Sequence, residues 1–444
     1  MSVVVPPSAS PAGVTSEQPA LGAVRPALAY LAPRFPERSE TFVYREVLAL
    51  RARGWQVRTL GLHAAPPAST PELVALARET HAVYGAGALR LVVDGATELA
   101  LHPVRGARTV TMTLRDVVAP GEPLALLGRL KLLAQAGAGL ALARRLRSSE
   151  GGPMHVHAHF AHATASVAMY AAAQLGVPFS FTGHANDLFQ RRALLKRKLQ
   201  RAAFVACISE WHHDLYQSIE ADGADKYRVI RCAVDVGTWA PASAEPRTGD
   251  PLRLLFVGRL VEKKGVDTLI EAVAALRRQG REVRVAIAGD GPMREPAQAL
   301  AQRLGCADLL QWHGAVDNDE VRRLMAQADV FALPCRTDAN GDRDGIPVVL
   351  MEAMACGLPV VSGDLPAIRE LVHDDRTGCL VPGGDAAALA TTLEALLRDP
   401  ARRSRLGAGG RARVRDEFAQ DVNIERLDRA FRQATRSRRL HAGT

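Results

Sequence analysis

The sequence predicts an α/β protein of two Rossmann-like domains facing across a cleft, and three observations carry that expectation. Near the start, an apolar strand at 27–32, a helix from about Glu40 to Arg53 and a strand from Gln56 to Leu62 follow in the opening order of a parallel sheet. A Pro/Ser/Gly-rich linker at 240–251 then interrupts the chain. Directly after it, a strand from Leu252 to Val257, a glycine-bearing turn and a helix at 266–279 open the same order again. The expected domains are 26–239 and 252–416, with a disordered tail at 1–25 and a helix within 417–444 that crosses back onto the first domain.

A chain of 444 residues can support two such cores, and 48% hydrophobic with 23% charged residues is a globular balance. No uninterrupted apolar run reaches the roughly 18–20 residues of a spanning helix. The first 25 residues lack the basic start and apolar centre of a signal peptide. Six cysteines show no CxxC spacing and fall mainly in apolar segments, so reduced, buried thiols in a cytoplasmic protein are expected. The formal charge of +9 suits a phosphate-bearing substrate or an anionic membrane. Nucleic acid is not an expected partner, because aromatics are only 5% and no strand interleaves them with cations.

In the first domain the helix at 40–53 shows an apolar stripe of Val43, Val47, Leu48 and Leu50 and stops at Gly54. Residues 64–150 are mainly helical, without an assignable role. His155, His157 and His159 alternate along one face of a strand, and with His162 they have the makings of a metal site. No acidic residue or cysteine lies near them in the chain, so no metal is expected. A strand at 178–182 delivers Thr182, Gly183, His184 and Asp187 at its C-terminal end, the edge where open α/β sheets place ligands. Residues 191–201 form a basic amphipathic helix, either a solvated face or a docking element for an anionic membrane peripheral to the cytoplasm.

The second domain holds the chemistry. Gly258, Arg259 and Lys264 occupy the first strand-to-helix turn, where fixed cations suit a pyrophosphate. Strand 283–288 leads into Gly289-Asp290-Gly291-Pro292, a second turn toward the cleft. The strand at 329–333 enters a loop ending at Asp344 and Gly345, followed by Ile346, Pro347 and Val348 and a short helix that Gly357 and Pro359 stop. That helix is apolar almost all round yet contains Glu352, whose burial is costly unless something binds it. Free N–H groups at its N-terminus suit a phosphate. Two acids eight residues apart beside an anion site suggest a ligand with both hydroxyls and phosphates, as in a nucleotide sugar.

Asp344-x7-Glu352 followed by Ala353-Met354-Ala355-x-Gly357-x-Pro359-Val360-Val361 resembles the signature of glycosyltransferase family 4, retaining enzymes of the GT-B fold. Ser39-Glu40-Thr41-Phe42 resembles the opening of its exopolysaccharide branch, which includes colanic-acid synthesis enzymes. The likeness covers roughly three-quarters of the chain. It implies transfer from a nucleotide sugar, a UDP-sugar foremost, to a hydroxyl of a glycan or polyprenyl-linked glycan, with retention and without cofactor or metal. Arg259 and Lys264 match the family's pyrophosphate ligands, and His184 and Asp187 match a segment used against the donor sugar. The loop at 313–316, ending at Val316, matches one that passes beside the nucleobase. Asp342-x-Asp344 mimics a metal motif of the other transferase fold, but Arg259 and Lys264 stand ready for the phosphates. Two departures stand out: Asp344 replaces the usual Glu, and Pro366-Ala367-Ile368-Arg369-Glu370 replaces a glycine pair and proline before the acid. An epimerase or phosphorylase of the same fold, or a non-catalytic nucleotide-binding protein, is the alternative.

Overall fold

The structure, a computed structural model, describes residues 27–37, 40–67, 70–119, 124–148, 152–184, 193–239 and 251–442. The tail at 1–25, Ser39, Asp187, Arg191, Arg192 and the linker up to residue 250 lie outside the described residues.

The first domain runs β1 (Ala27–Ala32), α1 (Thr41–Ala52), β2 (Gln56–Gly61), α2 (Pro71–Glu79), β3 (His81–Ala82), α3 (Ala88–Leu101), α4 (Pro103–Val118) and α5 (Leu126–Arg147). It continues with β4 (His155–His159), α6 (Ala163–Leu175), β5 (Phe179–Gly183), α7 (Leu195–Arg201), β6 (Phe204–Cys207), α8 (Glu210–Ile219) and β7 (Tyr227–Val229). Its strands form one parallel sheet in the order β3-β2-β1-β4-β5-β6-β7. Buried apolar clusters cover both faces, as an all-parallel sheet requires. On one face α5 and α6 meet so closely that a Cβ on Gly139 would lie 2.8 Å from the Tyr170 Cβ.

The second domain runs β8 (Leu252–Val257), α9 (Val266–Arg278), β9 (Val283–Ala288), α10 (Arg294–Arg303), β10 (Leu310–Gly314), α11 (Asn318–Gln327) and β11 (Val330–Leu333). Then come α12 (Val348–Ala355), β12 (Val360–Gly363), α13 (Pro366–Arg369), β13 (Cys379–Val381), α14 (Ala386–Arg398) and α15 (Pro400–Arg413). Its sheet order is β10-β9-β8-β11-β12-β13, again parallel. Two parallel sheets, each wrapped in helices, make the GT-B arrangement that the sequence predicts.

The last helix, α16 (Gln420–Ala442), docks on the first domain. The Trp55 indole N–H donates to Asp428 at 2.6 Å, and the Phe431 ring meets His155, His157 and Phe204 at 5.2–5.3 Å. Between the domains, Glu370 accepts the backbone N–H groups of Glu210 and Trp211 at the start of α8, at 2.8 and 2.9 Å.

Two cations of the basic helix are turned inward, while Lys196 is exposed. Lys198 is fully buried, and its Nζ donates to the carbonyls of Ala161, His162 and Ala193 at 2.6–3.0 Å. Arg201 grips the buried Asp116 with two nitrogens, at 2.5 and 2.8 Å. These cations hold the domain together and are not available to a membrane.

Truncating Phe431 to Ala should destabilise the protein by about 3–5 kcal/mol in urea unfolding, because the cavity would open beneath a ring buried by several aromatic neighbours. A loss under about 1 kcal/mol would mean that α16 contributes little to the first domain.

Candidate active site

Topology determines where the second domain can bind. β8 is the turning point of its sheet, with β9 on one side and β11 on the other. The loops leaving β8 and β11 therefore part at their C-terminal ends and open a crevice. Lys263 and Lys264 come from the first loop, Asp342 and Asp344 from the second. Lys264 Nζ lies 2.9 Å from Asp344 Oδ2, and Lys263 Nζ lies 3.6 Å from Asp344 Oδ1 and 2.9 Å from Asp342. The Cys335 thiol also donates to Asp344, at 3.3 Å.

Burial alone would pull the Lys264 ammonium down, but the Asp344 charge beside it outweighs that and its pKa is raised. Burial pushes the Asp344 carboxyl up, yet Lys264 and Lys263 bring it below its ordinary value. Both groups are charged at neutral pH. Asp344, expected as one of two acids beside a hydroxyl- and phosphate-bearing ligand, and Lys264, expected on the pyrophosphate, are thus one ion pair. Arg259 stands exposed at the same turn, close enough for its charge to oppose that of Lys264.

Glycines let three loops close on this point. Gly289 and Gly291 have φ of 145° and 154°. A Cβ on Gly289 would collide with the Gly258 carbonyl, and one on Gly291 with the Leu260 carbonyl. Gly258 N–H donates to Ala288 at 3.0 Å and Gly289 N–H to Gly314 at 2.7 Å, so the turns after β8, β9 and β10 are tied together. Val316 follows on the last of them, half-buried against the domain core.

Gly345, Ile346, Pro347 and Val348 bring the chain from Asp344 into α12. Pro347 is the residue before the helix, which starts at Val348, and Gly357, which ends it, has a positive φ of 77°. Glu352 is only 7% exposed, and its side chain makes no hydrogen bond among the described residues. Burial pushes its carboxyl up to about 7, against a partial opposing pull from Arg45 on α1 of the first domain. The Nη1 of Arg45 is itself buried without a hydrogen-bond partner among the described residues.

Across the crevice, His184 follows β5 and is buried among Phe42, Phe160 and His159, with ring centroids 5.0, 4.5 and 5.4 Å away. Burial, then the neighbouring histidines, hold its pKa well below the ordinary value, so it is a neutral hydrogen-bonding group. Its Nε2 lies 3.2 Å from His159 Nδ1, and His159 Nε2 lies 3.2 Å from Glu46 Oε1. Asp187 lies outside the described residues.

Sequence reasoning missed Glu46, the acid beside the histidine strand, because 113 residues separate it from His159. Glu46, His157 and His159 now group closely enough for a metal ion. His157, however, has both nitrogens bonded to hydroxyls, Ser180 at 2.7 Å and Thr182 at 3.1 Å. Arg343, over the Trp211 ring at 5.4 Å, was missed too; with Asp344, Gly345 and Pro366 these two line a small crevice between the domains.

The family profile described as Glycosyltransferase Family 4 matches residues 39–238, and the one described as Glycosyl transferases group 1 matches residues 242–413. The chain is 40% identical over 200 residues to a putative colanic acid biosynthesis glycosyltransferase, WcaL, of Escherichia coli, covering 45% of this chain and 49% of that protein. It is 41% identical over 180 residues to a GDP-mannose-dependent phosphatidylinositol monomannoside mannosyltransferase of Mycolicibacterium smegmatis, covering 40% and 47%. The chain thus spans about half the length of the curated relatives it matches. Among solved structures, it is similar to a sucrose-phosphate synthase of Thermosynechococcus elongatus, with TM-score 0.64, 20% identity and 95% and 100% of the two chains covered. HepE of Anabaena in complex with UDP gives TM-score 0.64 at 15% identity over 92% and 100%. At these identities the structural likeness concerns the fold alone.

The raised Glu352 carboxyl has a measurable consequence. A carboxyl near 7 in the folded chain and 4.5 unfolded adds stability that is fully present below pH 4.5 and lost as pH rises through 7. Relative to Glu352→Gln, the ligand-free protein should lose roughly 3 kcal/mol between those limits in urea unfolding. Parallel pH profiles for the two proteins would show that the carboxylate has a compensating partner.

Proposed function

The chain belongs to glycosyltransferase family 4 of the GT-B fold, and on that premise we propose that it moves a sugar from a nucleotide sugar to a hydroxyl of a glycan acceptor. The observation that carries the reading is the buried Glu352 carboxylate, without a hydrogen bond among the described residues and set in the helix whose N-terminus follows the Lys264–Asp344 pair. A ribose supplies the hydroxyls such a carboxylate lacks, and a pyrophosphate supplies an anion for Arg259 and the N-terminal N–H groups of α12, within reach of Lys264 beside Asp344. Asp344, already held by both lysines, is assigned to the sugar.

In this scheme the bond between the anomeric carbon and the diphosphate breaks, and its electron pair leaves on the diphosphate. The acceptor oxygen bonds to the anomeric carbon, and its proton leaves to the diphosphate or to solvent. Arg259 and Lys264 stabilise the charge that develops on the leaving group, and the Asp344 pair keeps Lys264 protonated and aimed. His184, neutral and packed by rings, offers the sugar a hydrogen bond without a charge. Lys263 and Lys264 already neutralise Asp342 and Asp344, which supports transfer without a divalent ion. The donor is a UDP- or GDP-sugar. The acceptor is a glycan, free or polyprenyl-linked, of a cell-surface polysaccharide assembled on the cytoplasmic side.

Incubation with a panel of UDP- and GDP-sugars should release nucleoside diphosphate only when an acceptor glycan is present. NMR should show the donor's anomeric configuration in the product, and EDTA should leave the rate unchanged. Lys264→Ala should lower kcat by roughly a hundredfold to a thousandfold. Sugar isomerisation without acceptor would identify an epimerase, and binding with no diphosphate release would contradict an enzyme. EDTA inhibition reversed by Mg²⁺ would make Asp342 and Asp344 metal ligands.

A further inference from the structure

Among the described residues, every large aliphatic side chain that stands out in solvent, Leu304 excepted, lies between Leu89 and Leu133. Single exposed aliphatics are ordinary, but a cluster confined to three consecutive helices is not. α3 and α4 are oriented against the usual rule. α3 turns Gly95 and Glu98 inward and leaves Leu89, Val92 and Val93 outward. α4 turns Thr109, Thr113 and Asp116 inward, with Val104, Leu114 and Val118 outward. The first turns of α5 expose Leu126, Leu127 and Leu130 before the helix enters the core at Leu132.

This orientation is built, because the inward polar face has its own partners. Glu98 is bonded by Arg147 at 3.0 Å and by Gln174 at 3.2 Å. Asp116 is bonded by Arg201 and, at 2.9 Å, by the Tyr170 hydroxyl. Thr109 reaches Gln174 at 3.0 Å. Rotating either helix to hide its apolar stripe would strand buried carboxylates without partners, at a cost of several kcal/mol.

Charge identifies what covers the stripe. Arg90, Arg108, Arg115 and Lys131 stand exposed beside it. Of the carboxylates on the described parts of these helices, Glu98 and Asp116 are buried completely, and Asp94 is paired with Arg90 at 3.0 Å. A second copy docked through the same face would bring these cations against one another. An anionic surface with an apolar interior satisfies both the cations and the aliphatic side chains. We infer that α3, α4 and the start of α5 form a docking face for an anionic lipid bilayer, with the aliphatic side chains inserted at the headgroup boundary. None of these three helices contributes a residue to the crevice lined by Trp211, Arg343 and Asp344, so the inference does not depend on the chemistry there.

The full chain should float with vesicles of phosphatidylglycerol and phosphatidylcholine and bind far less to phosphatidylcholine alone. Arg108→Gln with Arg115→Gln should lower partitioning about thirtyfold at low salt, two cations' worth of attraction to an anionic surface. Val104→Ser, Leu114→Ser and Val118→Ser together should abolish flotation at any salt. All five positions are exposed, so each variant should keep its circular dichroism and its affinity for UDP or GDP. Wild type that fails to float, or variants that float equally well, would overturn the inference. So would a wild-type dimer in sedimentation that the serine variant converts to monomer, since that would make the face a self-interface. Loss of flotation with nucleotide binding intact bears on this face alone; loss of nucleotide binding with flotation intact bears on the transfer reading alone.

Discussion

A carboxylate buried without a hydrogen-bond partner among the described residues is the constraint on which the proposed site depends. Glu352 sits in the middle of a helix whose other members, from Leu350 to Ala355, are apolar and almost wholly enclosed. Desolvation pushes its carboxyl up to about 7, and the described residues supply no hydrogen bond in return. An apolar residue of similar shape would pack there at no such cost. In the proposed scheme that cost is recovered when a ligand brings hydroxyls to the carboxylate.

The remaining site geometry follows from strand order. Because β8 lies between β9 and β11, the turn bearing Lys264 and the loop bearing Asp344 face each other although 80 residues separate them. The ion pair keeps both side chains charged inside the crevice before any ligand arrives. Glycines at 289 and 291 let neighbouring turns approach to hydrogen-bonding distance. Glu370, across the interface, fastens the two domains by binding the start of α8. Arg45 on α1 acts by its charge on Glu352, and Trp211 and His212 of α8 line a crevice with Asp344, so both halves border the space between them.

Much of this was legible in the chain because buried parallel strands and punctuated helices leave strong local marks. Strands at 252–257 and 283–288 occupy the residues expected of them, and Pro347 and Gly357 bracket α12 within one position. What local pattern does not encode is who meets whom. Lys264 and Asp344 were recognised singly, for different parts of a ligand, and their pairing needed the sheet order. Glu46 beside His159 is likewise a tertiary event. Lys198 misled because a lysine among cations reads as solvated, whereas three carbonyls bury it. Residues 88–133 stayed opaque for the opposite reason: α3 and α4 are amphipathic helices facing the wrong way for a globular core.

Calorimetric titration of wild type and Glu352→Gln with UDP and with GDP tests the central claim most directly. If the carboxylate is held for ribose hydroxyls, the variant should remain folded and bind the preferred diphosphate more weakly by roughly 1.5–3 kcal/mol. Equal affinity in a folded variant would contradict the account and make Glu352 a structural residue.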